Sequence, residues 1–167
     1  MAVRPLVYFP DPRLRRKAEE VVAFDDGLRA LASDLLDTMR AAPGVGITAP
    51  HVGVLQRVAV IQLDPGGEPR TYVNPQVLWA SDETSRNTEG SVSMPGVTEE
   101  IERAVRVRVA YRDLDGVAHE EEAEGFMAVC LQHEIDQLDG IFWIDRLSRL
   151  KRERVIKRYE KLRRSKA

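Results

Sequence analysis

EAEGFMAVCLQHEIDQLDG, residues 122–140, is the stretch on which the fold turns. Phe126, Met127, Val129, Cys130 and Leu131 run into a polar segment ended by Gly140, the pattern of a buried helix with a glycine stop. Inside it stands His133-Glu134-Ile135-Asp136-Gln137, one residue short of HExxH. In the full motif, two histidines at i and i+4 project from one helical face and hold a divalent metal, while the adjacent glutamate polarises the metal-bound water. Gln137 replaces the second histidine, and an amide oxygen is a poorer ligand than imidazole. Standing alone, the pattern fits equally a helix whose His133 and Glu134 make ordinary hydrogen bonds. Cys130, in the apolar run, reads as a small core residue rather than a nucleophile.

Working outward, residues 25–40, DDGLRALASDLLDTMR, set Leu28, Leu31, Leu35, Leu36 and Met39 on one face and predict an amphipathic helix. Residues 57–63 form a β-branched run that predicts a buried strand after the glycine-rich segment Gly44-Val45-Gly46-Ile47-Thr48-Ala49-Pro50-His51-Val52-Gly53. That segment lacks the lysine of a phosphate-binding loop and the third glycine of a dinucleotide site, so it reads as a loop, as does Glu89-Gly90-Ser91-Val92-Ser93-Met94-Pro95. TYVNPQVLWA is a further strand segment, and EEIERAVRVRVAYRDLDG alternates Val105, Val107 and Val109 with Arg106 and Arg108 as one half-buried strand, with Asp115-Gly116 as a hairpin turn. Helix, strands, helix and a final basic helix over 146–165 make an α+β pattern in one domain spanning 1–167.

With 167 residues, 43% hydrophobic and 31% charged, the chain has enough apolar side chains for a core and no run long enough to span a membrane. The opening MAVRPLVYFPDPRL lacks the apolar stretch of a secretory signal, so a cytoplasmic location is expected. One cysteine excludes an intramolecular disulfide and a multi-thiolate metal site. The net charge of −2 hides an asymmetry: residues 146–167 carry eleven Lys or Arg against Glu153 and Glu160. Such a segment fits either contact with nucleic-acid phosphates or a solvated face on a helix docked through Leu147, Leu150, Val155, Ile156, Tyr159 and Leu162.

Taken together and in this order, the segments around Gly44–Gly53, Glu89–Pro95 and His133–Gln137 resemble the signature of peptide deformylases, metal hydrolases that remove the formyl group from the N-terminal methionine of nascent chains. The opening FPDPRLRRKAEEV, the helix end DTMRAAPGVG, Val73-Asn74-Pro75 and GIFWIDRLS extend the resemblance over essentially the whole chain. It implies small antiparallel or mixed sheets packed around a central HExxH-type helix. The family pattern reads GxGxAAPQ, EGCLS and QHExDH, with the cysteine and both histidines as ligands for iron, zinc or nickel. Carried over, it places metal-ligand positions at Ser91, His133 and Gln137, and Glu134 as proton shuttle, with His51 and the Val92 N–H facing the oxyanion. Substrate contacts fall at Val45, Gly46, Gly90, Phe126, Val129, Cys130 and His133, and Arg103 matches a family arginine near the substrate, or else a strand-edge charge. The partners implied are nascent N-formylmethionyl peptides and, through the basic helix, the ribosome.

The chain departs from that pattern at Ser91 for the cysteine, Gln137 for the second histidine and His51 for the glutamine that meets the formyl oxygen. A protonated hydroxyl donates little charge to a metal, so weakened metal affinity is expected. His51 either keeps the glutamine's hydrogen-bonding role or joins His133 and an oxygen of Glu134, Glu89 or Gln137 in a rearranged site. Three readings stay open: a deformylase with reduced or altered metal dependence, a non-catalytic module binding formylated or other peptide N-termini, and a hydrolase using Ser91 with His51 or His133 as base.

Overall fold

The computed structural model describes residues 2–165; Lys166, the last cation of the basic segment, lies outside the described residues. The fold is α+β. The Asp25 carboxylate accepts the Leu28 N–H at 3.0 Å and starts α1 (Asp26–Ala41), whose Leu28, Leu31, Leu35 and Met39 are buried. The chain then runs through β1 (Gly46–Thr48), β2 (Val58–Ile61), β3 (Arg70–Ala80), β4 (Thr84–Ser91), β5 (Met94–Ala104), β6 (Arg106–Arg112) and β7 (Ala118–Glu124). α2 (Gly125–Leu138) and α3 (Arg149–Ser165) follow. No helix among the described residues is long and apolar enough to cross a membrane.

The strands form a five-stranded sheet in the order β1-β2-β3-β6-β7 and a separate β4-β5 hairpin, every named pairing antiparallel. α2 is buried through Ala128, Val129, Cys130, Leu131, Ile135 and Leu138 and is the central helix. It stops at Gly140, whose φ of +81° and close approach to Arg15 exclude a side chain. Val155 and Tyr159 of α3 join Met94, Val97 and Ile101 of β5 in one core cluster with Phe142 and Trp143.

Several expectations are corrected. The run from Glu99 to Arg112 is two strands, because the chain changes sheets at Val105, where the N–H bonds Glu83 O at 3.0 Å. Glu89–Pro95 is the closed end of the β4-β5 hairpin rather than a loop. HEEEAE, without apolar alternation, forms the edge strand β7, its Glu122 and Glu124 opposite Arg108 and Arg106. The last helix starts at Arg149, not 146, since Trp143–Arg146 make a 3-10 turn, and Leu150 points outward at 58% exposure.

Candidate functional site

A groove of about 400 Å³ opens where three elements meet. Pro43 to Gly46 form one wall, the β4-β5 hairpin from Thr88 to Thr98 the other, and Phe126, Val129, Cys130, His133 and Glu134 of α2 the floor, with His51 among the lining side chains. Val45, Gly46, Gly90, Ser91 and Val92 all lie on its walls. Gly46 is required for contact geometry: a Cβ there would run into Glu134 Oε2.

Glu89 of β4 and Asp136 and His133 of α2 are organised by one ion chain centred on Arg103. Arg103 grips Glu89 through Nε at 2.8 Å and Nη2 at 2.9 Å and reaches Asp136 through Nη1 at 2.5 Å. Asp136 is held in turn by two nitrogens of Arg146, at 2.9 and 2.7 Å. At the other end, His133 Nδ1 meets Glu89 Oε1 at 2.7 Å, leaving Nε2 as the ring nitrogen without a hydrogen bond among the described residues. Burial alone would raise the Glu89 carboxyl, but the Arg103 guanidinium and the His133 ring overcome it and hold it at about 2. Burial opposes charge on His133, yet the neighbouring Glu134 and Glu89 carboxylates prevail and raise its pKa. Burial pushes the Glu134 carboxyl up to about 7.

His51 owes its state to Thr48, three residues earlier. Its Nδ1 accepts the Thr48 backbone N–H at 2.9 Å, so in the neutral ring the hydrogen sits on Nε2. Burial, with the charge of His133, lowers its pKa to about 3 and keeps it neutral. His51 Nε2 and Glu134 Oε1 are both buried without a hydrogen-bond partner among the described residues.

Two positions from the resemblance do not face the groove. Arg103 is not a solvated strand-edge charge: 5% exposed, it pairs with Glu89 and Asp136 and lines the neighbouring depression rather than the groove. Gln137, 2% exposed, donates its amide to Leu14 O at 2.7 Å, turned toward the N-terminal segment. Ser91 stays at the groove, its hydroxyl accepting the Ser93 N–H at 3.1 Å. The residues at the three ligand positions therefore offer one imidazole nitrogen and one neutral hydroxyl. Among the described residues no group of three or more His, Cys, Asp or Glu side chains could hold a metal ion, so His51 and His133 form no such group with Glu134 or Glu89, and the Gln137 amide is turned to Leu14 O. The donor set does not fit the family's metal.

A larger polar depression, about 830 Å³, flanks the adjoining face of α2 at Gln132, Ile135, Asp136 and Asp139. Its arginines are engaged, Arg57 with Leu138 O and Asp139, Arg146 with Asp136, and none of His51, Glu89, His133 or Glu134 lines it. The smaller groove is the candidate site. Sequence reasoning missed Thr48 as the residue fixing the His51 tautomer, and Asp136 and Arg146 as the outer links of the ion chain; a hydroxyl three residues before a histidine was the available signal for the first.

A groove floored by a helix close to HExxH type and walled by a strand and a hairpin defines the site of this α+β protein. A family model described as polypeptide deformylase matches residues 3–153. A peptide deformylase-like protein of Brucella suis biovar 1 (strain 1330) is 63% identical over 164 residues, covering 98% of this chain and 100% of the relative. The same organism has a second relative, a peptide deformylase, 48% identical over 165 residues, covering 97% of this chain and 94% of the relative. The crystal structure of a peptide deformylase from Legionella pneumophila matches with a TM-score of 0.93 at 38% identity, covering 99% of this chain and 98% of that one. The chain belongs to the peptide deformylase family, whose members are metal-dependent and act on nascent formylated peptides.

Proposed function

We propose that this chain is a deformylase-fold module that holds the N-terminal end of nascent peptides in the groove and does not hydrolyse the formyl group. One observation carries the reading: the groove keeps its walls and floor while the donor set beneath it no longer suits a metal, Gln137 being bonded to Leu14 O and Ser91 to the Ser93 N–H. In the bound complex, a peptide strand would run between Val45-Gly46 and Gly90, its first side chain would enter the apolar region of Phe126, Val129 and Cys130, and a carbonyl oxygen would accept from His51 Nε2. The occurrence of a deformylase-like and a deformylase relative in one Brucella strain supports a division of labour between two such proteins. The basic face of α3 would place the module on the ribosome in the cytoplasm through rRNA phosphates.

The test is calorimetric binding of a Met-Ala-Ser peptide, free and formylated, with formate release and metal content measured on the same preparation. Binding without formate release, at metal content far below stoichiometric, is the expected outcome. Formate release that scales with a stoichiometric metal content overturns the reading.

A further inference from the structure

Four buried side-chain atoms lack a hydrogen-bond partner among the described residues: His51 Nε2, Ser93 Oγ, Glu134 Oε1 and Trp143 Nε1. Two of them, His51 Nε2 and Glu134 Oε1, belong to side chains that line the groove, and their residues are 1% and 5% exposed. They differ in kind. His51 offers an N–H, because Thr48 occupies Nδ1 as donor. Glu134 offers a carboxylate oxygen, the group whose burial without a partner is the more costly of the two.

The other carboxylate of the groove is already balanced. Glu89 receives two nitrogens of Arg103 and Nδ1 of His133. Although the chain carries 25 Lys and Arg, no Lys or Arg among the described residues lines the groove. The unmatched carboxyl oxygen of the groove is thus Glu134 Oε1, with the His133 ring acting on it as the opposing charge but making no hydrogen bond to it among the described residues.

Resting on the groove as the peptide site argued above, we infer that the preferred ligand is a peptide with a free N-terminal ammonium, Glu134 taking the ammonium and His51 Nε2–H the first carbonyl oxygen. An ammonium brings three N–H donors and a full positive charge to the unmatched oxygen. A formamide brings a single neutral N–H and directs its own oxygen to His51, giving Glu134 Oε1 a weaker partner than a charged donor. Beyond the ammonium, an apolar first side chain fills the region of Phe126, Val129 and Cys130. On this assignment the module reads N-termini after formyl removal rather than before it.

The deciding experiment is calorimetric titration of the full-length protein with Met-Ala-Ser and with formyl-Met-Ala-Ser, repeated on Glu134→Gln, with thermal melts confirming that the variant is folded. The free peptide is expected to bind roughly tenfold more tightly or better, the order of one charge-assisted hydrogen bond. In Glu134→Gln that ratio should fall to near one, with the formylated peptide's affinity little changed. Equal or tighter binding of the formylated peptide by the parent overturns the inference while leaving the groove as a peptide site, and needs no variant. An unaltered ratio in folded Glu134→Gln overturns the role of Glu134, and failure of both peptides to bind removes the site itself.

Discussion

Replacing Arg103 with Met keeps most of the stem volume and removes the cation at the centre of the buried ion chain. Asp136 retains both nitrogens of Arg146, whereas Glu89 is left with His133 alone in a position 7% exposed. A carboxyl held at about 2 against an ordinary 4.5 represents about 3 kcal/mol of native-state stabilisation at neutral pH. That agrees with the roughly 3–5 kcal/mol lost when one member of a buried pair is removed. Urea unfolding at pH 7 should therefore show a midpoint about 1.5–2.5 M lower in Arg103→Met, taking a slope of about 2 kcal/mol/M for a protein of this size. The sign with pH follows from the depressed folded value: the Glu89 contribution is complete above its unfolded pKa near 4.5 and is lost as pH falls through about 2. Without Arg103 most of that depression is gone, so the gap between parent and variant should shrink by roughly half between pH 7 and pH 3. A loss below about 1 kcal/mol at pH 7, or a gap of constant size down to pH 3, would refute the account of Arg103 as the counter-charge of Glu89.

Three further outcomes are expected. Gly46→Ala drives a methyl into Glu134 Oε2, so titration with Met-Ala-Ser should show binding lost or weakened by about tenfold or more in a chain that still melts cooperatively; unchanged affinity would place the ligand elsewhere. Ser91→Cys with Gln137→His restores a thiolate and a second imidazole, and elemental analysis should find near-stoichiometric zinc or iron in the double variant while either single variant stays far below it. For α3, reversing Arg154, Lys157, Lys161 and Arg164 to Glu leaves the buried Val155 and Tyr159 untouched, so ribosome co-sedimentation in low salt should be abolished without loss of stability; persistent pelleting of the variant would remove the phosphate contact.

Periodicity and capping residues sufficed wherever burial was carried by apolar side chains on one face. α1, β2 and α2 were legible for that reason, Leu28, Leu31, Leu35 and Met39 giving one, Val58 to Ile61 another. β7 was not, because its residues carry no apolar pattern and it forms by pairing along β6, which sets Glu122 and Glu124 opposite Arg108 and Arg106, a relation visible only once the sheet exists. Arg103 failed similarly. The sequence left it as either a substrate-side arginine or a strand-edge charge, and its burial depends on Glu89, fourteen residues away, and Asp136, thirty-three away. At the site, the three motifs located the groove, but side-chain direction is a property of packing: a helical spacing of four sets Gln137 near the face of His133, and the nearby Leu14 carbonyl decides where its amide goes.

The fate of each substituted position separates a site that has lapsed from one that has changed its ligand. At the positions that would hold the ion, both replacements found partners within the chain, Gln137 at Leu14 O and Ser91 at the Ser93 N–H. His133 likewise is anchored to Glu89. Where the peptide end would lie, the opposite holds: His51 Nε2 and Glu134 Oε1 have no hydrogen-bond partner among the described residues. Two such atoms lining one groove are not needed for folding, since apolar residues of similar size would be cheaper there. Gly46, leaving room for the Glu134 carboxylate that any side chain would displace, points the same way. On the function proposed above, the pocket takes a polar ligand from outside the chain, while Gln137 and Ser91 are bonded within it.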